Sequence, residues 1–81
     1  MVRHDGAEAR KERYTKIAQT IQALLYQNRE LGYVSLKKTV ITFKVEMGLT
    51  YEKIMEYMQD LSDIGQFEID AEKDQIRKPR V

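Results

Sequence analysis

Apolar residues recur along this chain at two different periods. Tyr14, Ile17, Ala18, Ile21, Leu24, Leu25 and Asn28 fall on one face at helical spacing, apolar except for the asparagine. The helix they predict runs from about residue 7 to residue 31, ends at Gly32, and spans about 36 Å at ~1.5 Å per residue. That exceeds what a compact core of the remaining residues requires, so its basic first turns overhang. In the next segment Ile41, Phe43, Val45 and Met47 alternate with polar residues as in a strand, while Leu36, Val40, Phe43 and Met47 fit a helix equally well. Ser35 as N-cap, Gly48 as terminator and the length of the run favour a helix over about 36–47. Just ahead of it, Tyr33-Val34 adds a short strand. A third helix, about 50–64, takes Thr50 as N-cap, buries Tyr51, Ile54, Met58 and Leu61 with Met55 and Ile64 at its flanks, and stops at Gly65. Phe67 and Ile69 then alternate with Glu68 and Asp70, a loop follows at Ala71-Glu72-Lys73-Asp74, and Ile76 re-enters the apolar pattern. This is a hairpin over about 66–78. The expectation is a mainly α domain with a small β element (α+β) over residues 7–79, behind a flexible N-terminus at 1–6.

At 81 residues the chain makes one small domain, and such a chain buries only about 60–65% of its unfolded surface. A deep enzyme cleft is not expected. With 33% charged and 42% hydrophobic residues, the composition is that of a folded protein, and no apolar run reaches membrane-spanning length. The N-terminus lacks the apolar core of a signal peptide and there is no cysteine, which together point to the cell interior. The net charge of +1 hides a segregation. Residues 35–48 sum to +2 (Lys37, Lys38 and Lys44 against Glu46), whereas 49–65 sum to −3 (Glu52, Glu56, Asp60 and Asp63 against Lys53). An electrostatic footprint for nucleic acid must come from the basic N-terminal arm, from Lys37, Lys38 and Lys44, and from Arg77, Lys78 and Arg80.

Helix, short strand, helix, tight turn, helix and hairpin is the element order of a winged helix-turn-helix domain, and residues from about 14 to 79 resemble that family. The most specific stretch is MGLTYEKIMEYMQDLSDIGQFEID. Its Gly48-Leu49-Thr50 matches the family's Gly-apolar-Ser/Thr turn before the recognition helix. Leu61-Ser62-Asp63-Ile64-Gly65 matches the Leu-x-x-apolar-Gly ending before the first wing strand. The match is most similar to small winged-helix proteins of archaea and their plasmids and viruses. The resemblance implies a DNA-binding protein acting in transcription or replicon control, cytoplasmic and nucleoid-associated. It implies DNA-facing positions at Thr50, Tyr51, Glu52, Lys53, Glu56 and Tyr57, with Lys37 and Lys38 opening helix two and wing contacts at Lys73, Arg77 and Lys78. Winged helices also serve as protein-binding modules, so the resemblance leaves both uses open.

The residues sharpen that choice. On helix three, Glu52, Glu56, Gln59 and Asp63 centre opposite Ile54, and Lys53 is the one cation beside them. Such a stripe repels phosphate, although Glu can accept from a cytosine amino group. It reads either as a solvated face or as a docking site for a basic protein partner. Lys37 and Lys38 oppose the dipole of helix two, and phosphate would offset this. The Ser35-Leu36-Lys37-Lys38 corner, with its helix-start N–H groups, is the preferred phosphate anchor, beside the plainer reading of a soluble lysine pair. Gln22, Ala23, Tyr26 and Gln27 lie off the main apolar stripe, and an exposed Tyr26 points to a homodimer through helix one. Met47, Met55 and Met58 read as core fillers. No catalytic residue, metal site or cofactor is expected: His4 is the sole histidine, and no phosphate loop or nucleophile motif is present.

Overall fold

The computed structural model describes residues 5–79. Residues 1–4 of the expected flexible N-terminus, including His4, lie outside the described residues, as does Arg80. Three helices, α1 (Asp5–Gln27), α2 (Leu36–Met47) and α3 (Tyr51–Asp63), combine with three short strands, β1 (Tyr33–Ser35), β2 (Glu68–Asp70) and β3 (Gln75–Arg77). The class is α+β, with one antiparallel sheet in the order β1-β3-β2.

α1 starts earlier than its pattern predicts and stops four residues sooner. Its end is set by Asn28, whose side-chain amide donates to the Leu24 carbonyl at 2.8 Å, and by Gly32, whose N–H reaches back to Asn28 O at 3.0 Å with φ +86. That closed turn redirects the chain into β1, which a helix continuing to residue 31 could not do. α2 resolves the ambiguity between strand and helix. Ser35 Oγ accepts from Lys38 N, and Gly48 at φ +67 ends the helix by donating to Lys44 O. A left-handed residue there costs glycine little and other residues roughly 1–2 kcal/mol. Thr50 caps α3 by accepting from Lys53 N.

The core sits where α1 and α2 both lean on α3, with the sheet closing one end. Ile17, Ile21, Val40, Phe43, Ile54, Met58 and Ile76 are fully buried, and Phe67 seals the hairpin against them. In the sheet, Ile76 faces Val34 on one side and Ile69 on the other. This apolar row points to the core. By period-two alternation the next row, Tyr33, Arg77 and Glu68, points outward.

One expectation for α3 is reversed. The apolar pattern puts Tyr51 in the core, yet it is 47% exposed, whereas Tyr57, one of the DNA-facing positions implied by the resemblance, is 4% exposed. The reason is the side on which α1 crosses. Tyr14 packs edge-on against Tyr57 with ring centroids 4.7 Å apart, and its hydroxyl donates to Asp60. Arg13 donates to the Tyr57 hydroxyl at 3.2 Å, so the buried ring keeps its polar end satisfied. Tyr57 is therefore covered, with Asp60 exposed at the rim of the contact, and Tyr51 at the start of α3 is left open. Ile64 is also exposed, in place of the core-margin position its spacing predicts.

Candidate functional site

The start of α2 is the first place to look for an anion. An α-helix leaves its first N–H groups without intrahelical partners. Here the chain supplies them. Leu36 N donates to Asp74 O at 3.1 Å, Lys37 N to the Asp74 carboxylate at 2.8 Å, and Lys38 N to Ser35 Oγ at 3.2 Å. Ser35 Oγ in turn donates to the same carboxylate at 2.9 Å. Asp74 closes the hairpin loop in the left-handed region, φ +57, which aspartate tolerates better than most side chains. The expected phosphate anchor is thus corrected: its backbone donors are held by a carboxylate from the hairpin. The lysine side chains remain. Lys37, Lys38 and Lys73 are exposed on residues grouped around this clasp, and among the described residues none of their ammonium groups has a carboxylate partner.

On the outer face of the hairpin the expectation for Arg77 also changes. Its guanidinium bonds Glu68 at 2.8 Å, lies 3.3 Å from Asp70, and donates to Gln75 at 3.3 Å. Glu68 stands directly across the ladder and Asp70 on the diagonal, so the register itself makes this triad. Two carboxylates around one guanidinium leave no positive charge to offer a phosphate. Lys78 is exposed just past β3, beside a shallow pocket lined by Gln22, Leu25, Tyr26, Gln66 and Pro79.

α3 presents Thr50, Tyr51, Glu52, Lys53, Glu56, Gln59 and Asp63 to solvent. Lys53 is paired with Glu56 at 3.3 Å, and Gln59 donates to Asp63 at 3.0 Å. The stripe remains acidic overall. Its beginning differs from that of α2: among the described residues the N–H groups of Tyr51 and Glu52 have no acceptor, and only Lys53 N is capped. Lys44 is exposed on α2. Of the helix-one positions expected to form a seam, Gln22 donates to Gln66 at 2.8 Å within the chain, and the Tyr26 ring is covered on one face by Arg29 at 4.5 Å.

Among the described residues Tyr14 is the one side chain whose ionisation is clearly shifted. Its hydrogen bond to Asp60, then burial and the nearby negative charge, raise its pKa above the ordinary tyrosine value of 10.0. This ties α1 to α3 and keeps the Tyr14 phenol protonated.

Sequence reasoning missed Asp74 as the clasp and the Arg13-Tyr57-Tyr14-Asp60 group. The signal for the first was an aspartate closing a polar loop before an apolar strand residue, a position favouring left-handed backbone. Nothing local signalled the second, which spans more than forty residues of sequence. Among the described residues no helix is long and apolar enough to cross a membrane. No family model matches the chain, and neither a curated protein nor a solved structure does.

Proposed function

We propose that the chain is a winged helix-turn-helix domain that binds duplex DNA, chiefly through phosphate contacts, and acts in transcriptional control. What supports the fold reading is the element order with the strand order β1-β3-β2, together with a tight Gly48-Leu49-Thr50 turn between α2 and α3. The observation that carries the DNA reading is the α2–hairpin corner, where Asp74 draws the hairpin turn onto α2 and groups the unpaired Lys37, Lys38 and Lys73. Thr50, Tyr51 and the two free N–H groups at the start of α3 add further donors for phosphate. Lys44 on α2 and Lys78 past β3 are further exposed cations. Arg77 and Tyr57 take no part. Few groups on α3 suit base edges, so affinity is expected to exceed sequence discrimination.

Fluorescence anisotropy of a labelled duplex over a salt series tests this. Lys37→Ala combined with Lys73→Ala, which leaves Lys38 in place, weakens binding and flattens the dependence of log K on log salt by roughly 0.9 for each phosphate no longer neutralised. A protein that binds no duplex at low ionic strength overturns the reading.

A second reading is favoured by a specific observation, the acidic stripe of α3. Glu52, Glu56, Gln59 and Asp63 are all exposed, and the one cation among them is already paired. On this reading the domain docks a basic protein partner. Charge reversal, Glu52→Lys with Glu56→Lys, separates the two: it strengthens or spares duplex binding on the first reading and abolishes partner capture on the second.

A further inference from the structure

We infer that the outward face of α2 is the seam of a two-fold homodimer in which the α2 helices of two copies pack antiparallel across Thr42. Three features lead there. First, large apolar side chains on and beside this face are open to solvent: Val45 is 80% exposed, Leu31 in the turn before β1 65%, and Ile41 at the margin of the face 47%. Second, a groove of about 480 Å³ runs beside it between α1 and α2, lined by Leu24, Leu31, Val34, Thr39 and Thr42. Thr39 and Thr42 donate their hydroxyls to Ser35 O and Lys38 O, so neither needs a polar partner from outside. A ridge next to a groove on one surface is what an isologous contact requires, since each copy supplies the knob for the other's hollow.

Third, the charges are arranged for it. At 100° per residue, Lys38, Thr42, Val45 and Glu46 share one arc of roughly 100° on α2. Lys38 and Glu46 stand four residues to either side of Thr42, about 12 Å apart along the axis, too far to pair within one helix. Among the described residues neither side chain has a polar partner. With Thr42 on the two-fold axis, Lys38 of each copy faces Glu46 of its partner, and Val45 faces Thr39 at the wall of the partner's groove. A parallel arrangement would set like charges against one another. Lys37 and Lys44 fall beyond Ile41, outside this arc, and stay open to solvent in the dimer. The seam is distinct from the helix-one surface that carries Gln22 and the exposed Tyr26.

The test needs no DNA and reads mass alone. Sedimentation equilibrium over a wide concentration range gives a monomer–dimer equilibrium for the wild type. Val45→Glu is monomeric, and it melts with the wild type at concentrations low enough for the wild type to be monomeric, because the side chain is already exposed within one copy. Lys38→Glu and Glu46→Lys each raise the dimer dissociation constant at least about tenfold, since two-fold symmetry applies every substitution twice. An equimolar mixture of those two variants recovers dimer, as each new side chain then faces its opposite charge. A wild type that stays monomeric throughout, a dimer indifferent to Val45→Glu, or a mixture no tighter than its components overturns the proposal.

Discussion

Asp74 is the residue through which the hairpin holds α2, and replacing it separates two effects that share one position. Its carboxylate accepts from Lys37 N at 2.8 Å and from Ser35 Oγ at 2.9 Å, at the positive end of the α2 dipole. Loss of a side-chain cap costs about 0.5–2 kcal/mol, and loss of a carboxylate from a helix start about 0.3–1 kcal/mol. The two overlap and the site is exposed, so Asp74→Ala is expected to cost about 1–2 kcal/mol in total. Alanine also keeps the strain of φ +57 without the local hydrogen bonds that relieve it. Asp74→Gly loses the same bonds but relieves roughly 1 kcal/mol of backbone strain. For a domain of this size each kcal/mol moves the midpoint by about 4–8 °C. Thermal unfolding followed by circular dichroism should therefore place the alanine variant about 5–15 °C below wild type, and the glycine variant between the two. The backbone bond from Leu36 N to Asp74 O does not depend on the side chain and keeps the corner assembled, so in the same samples both substitutions raise duplex affinity by freeing the Lys37 N–H and removing a negative charge beside Lys37 and Lys38. An alanine variant that melts with the wild type, or a glycine variant no more stable than alanine, refutes the clasp.

Other consequences follow from the same geometry. Arg77→Ala should leave the salt dependence of DNA binding unchanged, since Glu68 and Asp70 already neutralise that guanidinium; chemical denaturation should show a loss of at most about 1 kcal/mol. Tyr14 has a folded-state pKa raised above 10.0, so its contribution is full below that value and is lost as pH rises through the folded-state pKa. Urea midpoints measured from pH 8 upward should fall in the alkaline range for wild type and fall less for Tyr14→Phe. Phe43→Ala removes a fully buried ring from the centre of the core, and a loss of about 3–5 kcal/mol should leave so small a domain largely unfolded at 37 °C by near-ultraviolet circular dichroism.

The local chemistry of the chain was legible without coordinates. Ser35 and Thr50 read as caps and act as caps, and Gly48 reads as a terminator and adopts φ +67. The apolar periods of α1 and α3 name most of the core, and the hairpin falls where alternation puts it. What was not legible depends on partners distant in sequence. Tyr51 and Tyr57 lie on opposite sides of Ile54 on α3, and periodicity alone cannot say which side α1 covers. Arg77 reads as a cation until the β2–β3 register sets Glu68 across from it. The α2 start reads as an empty anion site until the fold brings Asp74 to it from 37 residues away. In each case the residue's type was right and its availability was decided by topology.

A phosphate-binding corner built from α2 and the hairpin is tested most directly by amide chemical-shift mapping of the 15N-labelled protein titrated with a short duplex at low salt. Perturbations are expected to concentrate at residues 36–38 and 71–74, to continue to 50–53, and to be reversed by added salt. Perturbations confined to the acidic outer stripe of α3, or none at all, would contradict it.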